Sequence, residues 1–277
     1  MLNETKRILR RDRIWLDGRL GQNQVIDTSI LKKMVDYAEV TKNDVVLEIG
    51  AGVGNLTVML AEAAGTVTAI EKDKKLIRIL QERLKGRNNV KVLQGDALEM
   101  ELPEFNKIVS NLPFSISSGI TFKLLGLKFE VAVLMFQKEF AERLVAPPGS
   151  ENYGRLTVNV YYRAKAELLD EVPPSAFFPQ PRVSSAIVRL KPRQPPFEIK
   201  DEQSFSRVVR ALFQHRNQRV RNALLHSFSE VFPEIKMTKN EIKSFIDNTL
   251  PSKLLGARVS ELTPENFGEI TNLLTSP

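Results

Sequence analysis

The stretch Val45–Asn55, VVLEIGAGVGN, decides how this chain is read. Val45, Val46, Leu47 and Ile49 make a short apolar run of the kind buried inside a parallel sheet. Gly50, Ala51, Gly52, Val53 and Gly54 then turn the chain, and Leu56–Ala64 (LTVMLAEAA) has helical spacing. A glycine turn between strand and helix lets the backbone bend sharply and lets a ligand approach without meeting a Cβ. G-A-G-V-G is not the full G-x-G-x-x-G dinucleotide spacing, so it suits a small nucleoside-like ligand without demanding a pyrophosphate. Taken alone, the stretch reads equally well as a tight strand-to-helix turn.

The following strands decide between the two readings. Thr66–Glu71 (TVTAIE) is a second strand ending in an acid, and Glu71 lies close to the ~20-residue offset at which an acid reaches ribose hydroxyls in such folds. Asp73–Leu84 reads as a helix and Asn89–Leu93 as a third strand, after which come Gln94, Gly95 and Asp96. Asp96 stands just past a strand's carboxyl end, where open α/β sheets bind ligands, and its carboxylate suits an adenine amino group. With Glu48 beside the glycines, three consecutive strand ends describe an adenosine crevice. The fourth strand, Lys107–Ser110, runs into Asn111, Leu112, Pro113 and Phe114. Pro113 restricts Leu112 to an extended conformation, so the Asn111 carboxamide and the Leu112 carbonyl would converge in front of the sheet, and Phe114 offers a stacking face.

Composition limits the chemistry. The 277 residues carry a net charge of +7, which favours an anionic partner, nucleic acid being the usual one. There is no cysteine and there are two histidines, which excludes disulfides, thiolate metal sites and a cysteine nucleophile, and leaves no metal centre expected. No signal-peptide core or membrane-spanning run is present, so a cytoplasmic protein with no membrane partner is expected.

Residues 1–20 hold Lys6, Arg7, Arg10, Arg11, Arg13 and Arg19 against Glu4, Asp12 and Asp17, and read as either a solvated helix face or a nucleic-acid-contacting arm. The segment Gly21–Ile30 (GQNQVIDTSI) precedes a helix near Ser29–Ala38, and Gln22–Gln24 serve either as turn residues or as a lid over the nucleotide site. Glu130–Gln137 is a fifth strand and Lys138–Val145 a short helix, while Leu156–Tyr162 and Ser185–Leu190 read as an antiparallel edge hairpin. Between those last two, Phe177 and Phe178 sit among Pro173, Pro174, Pro179 and Pro181. Exposed aromatics on a proline frame suit an extruded base, and one of the two rings is expected to fill the core instead. After Pro192–Pro196 the strands stop and helices are expected at about 204–213, 217–230, 239–246, 251–254 and 264–274. Arg207, Arg210, Arg216, Arg219 and Arg221 fall in a stretch with no acid, which favours a phosphate-binding surface.

GQNQVID, EIGAGVGNLT, IEKD, GDAL, NLPF, FFPQPRVSSAIVRL and FQHRNQRVRNAL stand in that order along the chain. This ordered set, from about Gly21 to Leu225, resembles the KsgA-type ribosomal RNA adenine dimethyltransferases, its archaeal members in particular. These are close relatives of the Erm macrolide-resistance methyltransferases. The resemblance implies an α/β fold of the class I S-adenosylmethionine-dependent kind: a Rossmann-like, seven-stranded, mostly parallel sheet with an antiparallel last strand, followed by a small all-helical domain. It divides the chain into a methyltransferase domain at 1–191 and a helical RNA-binding domain at 192–277. It further implies that Asn23 and Val25 close over the cofactor S-adenosylmethionine, that Gly50 meets its methionine end, and that Gly52 also binds it. Glu71 would hold its ribose, Asp96 its adenine, and Asn111 would serve both cofactor and target. Phe114 and Phe177 would stack on the target base. The implied activity is transfer of four methyl groups to N6 of two adjacent adenosines near the 3′ end of small-subunit (16S) rRNA, by a monomer acting on immature small subunits.

Two places depart from the family pattern. The family often has tyrosine where this chain has Phe114, so any role for that hydroxyl is not shared, and Gln24 and Val25 replace the common Phe and Leu. A DNA adenine-N6 methyltransferase and a non-catalytic assembly factor on the same fold are the competing readings; the arginine-rich helices oppose the first, and intact Glu71, Asp96 and Asn111 oppose the second.

Overall fold

The run at Val45–Ile49 forms a central strand whose neighbours are all built from similar apolar stretches. The computed structural model describes residues 1–16 and 22–275, so Asp17, Arg19 and Gly21 lie outside the described residues. In chain order the elements begin α1 (Leu2–Arg11), β1 (Gln24–Val25), α2 (Thr28–Tyr37), β2 (Val45–Ile49), α3 (Asn55–Ala63), β3 (Thr66–Glu71), α4 (Lys74–Arg83), β4 (Val90–Gln94) and β5 (Lys107–Asn111). They continue with α5 (Ser117–Leu124), β6 (Val131–Gln137), α6 (Lys138–Leu144), α7 (Arg155–Arg163), β7 (Ala164–Val172), β8 (Phe177–Phe178) and β9 (Ser185–Pro192). The rest is helical: α8 (Glu202–Gln214), α9 (Val220–Val231), α10 (Lys239–Thr249), α11 (Ser252–Gly256) and α12 (Pro264–Leu274).

Seven strands make one sheet in the order β4-β3-β2-β5-β6-β9-β7. Strand β2 pairs in parallel with both β3 and β5, β3 with β4 and β5 with β6, whereas β9 runs antiparallel to β6. Val46, Leu47 and Ile49 are at most 1% exposed, as a strand covered on both faces requires. The chain builds outward on one side of β2 through β3 and β4, then returns to build β5 and β6 on the other. A crevice opens at such a reversal, beyond the carboxyl ends of β2 and β5.

The chain divides into two compact units, Met1–Glu142 with Lys165–Pro192, and Arg143–Ala164 with Arg193–Pro277. The second unit starts again one residue from the boundary expected at 191, but it also takes in Arg143–Ala164, which the sequence pattern assigns to the first. The reason lies in α7. The β-branched and aromatic run LTVNVYY reads as a strand at Leu156–Tyr162, yet it is helix. Leu156, Val158, Val160 and Tyr162 are all buried, and Val158 and Tyr162 share a core with Phe205, Leu212, Leu224 and Phe267. Packing on nearly every side hides the helical period and overrides β propensity. The edge strand lies instead at β7, whose Lys165, Glu167, Asp170 and Glu171 suit a sheet edge.

Candidate active site

The glycine turn shows why its residue types are needed. Gly50, Gly52 and Gly54 have φ of 75°, 59° and 84°, and a Cβ on Gly50 would lie 2.8 Å from Pro113 Cδ. The turn after β2 and the NLPF loop after β5 are therefore in direct contact. A Cβ on Gly52 would collide with the Gln24 carboxamide. Gln24 Oε1 accepts the Val53 N–H at 3.2 Å, and Asn55 donates to the Val25 carbonyl at 2.8 Å.

Strand β1 pairs antiparallel with β8, Gln24 opposite Phe178 and Val25 opposite Phe177. Gln24 and Val25 are thus held down by the proline-framed phenylalanines, a pairing that neither segment announces, since each supplies only two residues. Phe177 is 3% exposed and packs among Val25, Leu31 and Met34, so its ring offers no free face to a base here. Of the two rings it is the one that fills the core. Phe178 is half-buried, with Lys6 Nζ 5.2 Å from its centroid.

A cleft of about 430 Å³ opens at the strand ends, its lining including Gly50, Glu71, Asp96, Pro113 and Ile116. Glu71 accepts backbone N–H bonds from Gly52 at 2.8 Å, Lys72 at 2.8 Å and Asp73 at 2.9 Å. Burial raises its pKa and those three donors oppose the rise, the pattern of a carboxylate fixed in place with acceptor capacity remaining. Asp96 accepts from Leu98 N–H at 2.9 Å and from Lys72 Nζ at 2.7 Å, and the lysine holds its carboxyl below the ordinary range. Lys72 is a site residue that the sequence reading misses; its signal is a cation directly after the strand-end acid in IEKD.

Asn111 donates its Nδ2 to the Asn23 carbonyl at 2.8 Å, which fixes the carboxamide so that Oδ1 is left as an acceptor. Phe114 is half-buried and Leu112 is 1% exposed. Glu48 is 2% exposed, and burial, with the nearby Glu71 charge adding, pushes its pKa up to about 8. Glu48 Oε2 and Asn23 Oδ1 are both buried acceptors without a hydrogen-bond partner.

The five arginines do not form one set. Arg216 donates to the Ser150 and Glu151 carbonyls, and Arg221 pairs with Asp247, an acid supplied by α10 that the local charge run could not show. Arg207 bonds Ser204 Oγ at 3.1 Å, while Arg210 and Arg219 are exposed.

The family model of ribosomal RNA adenine dimethylase matches residues 16–254. The chain is 45% identical over 258 residues to a probable ribosomal RNA small subunit methyltransferase A of Methanosarcina acetivorans, covering 93% of each. It is 46% identical over 273 residues to its counterpart in Methanothermobacter thermautotrophicus, covering 98% of this chain and 95% of the relative. Among solved structures, a dimethyladenosine transferase from Plasmodium falciparum aligns with a TM-score of 0.74 at 31% identity, over 88% of this chain and 94% of that one. The 23S rRNA methyltransferase ErmE aligns at 0.65 and 28%, over 91% and 99%. Motifs, sheet order and matches agree: the chain belongs to the ribosomal RNA adenine dimethylase family.

Proposed function

We propose that the protein uses S-adenosylmethionine to dimethylate N6 of two adjacent adenosines near the 3′ end of small-subunit rRNA, on immature small subunits. The observation that carries this reading is the Asn111 carboxamide, anchored through Nδ2 to the Asn23 carbonyl beside the crevice.

The residues present fit the cofactor. Glu71 has the acceptors for two ribose hydroxyls and Asp96 an acceptor for an amino group. The buried, unpartnered Glu48 Oε2 and Asn23 Oδ1 are what a cationic amino group would satisfy. When bound, the group supplies an electrophilic methyl on a sulfonium. The chain's own task is to present the acceptor nitrogen. The lone pair of an adenine amino group is delocalised into the ring, so the nitrogen is a poor nucleophile. If Asn111 Oδ1 and the Leu112 carbonyl accept its two N–H bonds, the nitrogen is drawn toward the tetrahedral form that can attack. Position, not a strong base, then sets the rate. Phe114 supplies the stacking face, and a phenyl ring serves as well as a phenol for that purpose. Phe177 acts from behind, holding Val25 and the β1 segment in place.

The test is incubation with labelled S-adenosylmethionine and undermethylated small subunits, followed by digestion and a search for N6,N6-dimethyladenosine. Asn111→Ala should lose at least ~100-fold in transfer while still binding cofactor. Near-normal transfer by that variant would falsify the role given to Asn111.

A further inference from the structure

Helix α1 turns Thr5 and Leu9 inward, Leu9 against Val53, Leu76 and Ile79. Lys6, Arg10 and Arg13 recur at four- and three-residue spacing and line a groove of about 690 Å³ together with Trp15 and Phe178. The acids of this segment are engaged elsewhere: Glu4 pairs with Arg83 and Asp12 with Arg11. Among the described residues Lys6, Arg10 and Arg13 form no ion pair.

Two details of this groove stand out. Trp15 is 93% exposed, an indole left in water beside three cations. Arg13, two residues past the end of α1, lies in the left-handed region at φ 52°, where Ile14 N–H reaches the Leu9 carbonyl and Arg13 N–H the Arg10 carbonyl. Glycine is the residue such a helix end favours. An arginine held there bears a conformational cost that glycine would not.

Cations interleaved with aromatic faces are the chemistry of single-stranded nucleic acid, the rings stacking on bases and the cations tracking the backbone. We propose that this groove binds a single-stranded segment of the RNA substrate, with a base on Trp15 and phosphates on Lys6, Arg10 and Arg13. The inference rests on the RNA-substrate reading and adds a second contact region, continuous with the site through Phe178, which pairs with Gln24.

Trp15 is the only tryptophan in the chain, so the emission of the full-length protein reports this groove directly. Titration with a short oligoadenylate at low salt should quench it saturably. By polarisation of a labelled oligoadenylate, Trp15→Ala should bind about tenfold more weakly. Arg13→Gly should reduce the slope of log affinity against log salt by about 0.7 while melting no lower than the parent, because glycine suits that helix end. Three results overturn the proposal: no oligoadenylate binding, binding that leaves Trp15 emission unchanged, or equal quenching by fully paired duplex RNA. Methyl transfer into undermethylated subunits is measured on the same preparation. A protein that methylates but is not quenched refutes the groove alone; one that is quenched but transfers no methyl supports the groove and refutes the catalytic reading.

Discussion

Glu48 is the residue whose ionisation is most strongly tied to the fold. Burial moves its pKa from 4.5 to about 8, so between those values the folded chain keeps a proton that the unfolded chain has released. Stability contributed by this group is therefore full below about pH 4.5 and falls as pH rises toward 8. Glutamine has the same shape and does not titrate. Glu48→Gln should gain on the parent by on the order of 1.4 kcal/mol per pH unit across that window, other titrations cancelling in the difference. Paired thermal melts of the ligand-free proteins check this, and a difference independent of pH would show that Glu48 is ionised in the fold. Asn111 differs in kind. Its amide is neutral and the role proposed for it is geometric, so its loss should appear in transfer and not in the pH dependence of stability.

Among the elements, the loops after β2 and β5 depend on each other through Gly50 and Pro113. Gly50→Ala meets two costs: a φ of +75° that disfavours any side chain, and a Cβ 2.8 Å from Pro113 Cδ. Gly86 has a φ of +88° with nothing within 4 Å, so Gly86→Ala carries the first cost without the second. Gly86→Ala should lower stability by about 1–2 kcal/mol and leave methyl transfer intact. Gly50→Ala should lose more stability and also shift the NLPF loop, weakening cofactor binding and transfer; calorimetric titration and melting of the two variants separate the effects. If both behave alike, the Gly50–Pro113 contact is not what positions the loop. The same scale explains what the sequence could reveal. The strands leading to Gly50, Glu71, Asp96 and Asn111 are legible because each is a local apolar run ending in a distinctive residue. The β1–β8 pairing is not, because two-residue strands have no period and their register is set by residues about 150 positions apart. Helix α7 reads as a strand because tertiary burial, not its own pattern, selects its conformation. Phe177 belongs to the right motif, but its side chain faces the core, which a proline frame alone does not indicate.

For the molecule as a whole, a net charge of +7 becomes informative once its cations are sorted by partner. Arg216 is tied to backbone carbonyls and Arg221 to Asp247, so their charges serve the second unit's own loops and helices. Arg210 and Arg219 are exposed and form no ion pair among the described residues, which makes them the members of the run best placed to meet phosphates. The two classes should separate cleanly. Arg210→Glu with Arg219→Glu should leave the melting temperature within a degree or so, because surface substitutions change stability little. The same pair should weaken rRNA binding and lower its salt slope by roughly 0.7–0.9 for each phosphate no longer neutralised. Arg221→Ala should do the opposite. The Arg221–Asp247 pair is about a third exposed on both sides and screened by solvent, so its removal should lower the melting temperature only slightly, with the salt slope hardly changed. Binding isotherms at several salt concentrations, set beside melting curves, distinguish the two. An Arg210–Arg219 double variant that keeps the parent's salt slope would move the RNA-binding surface off these helices and onto the first unit.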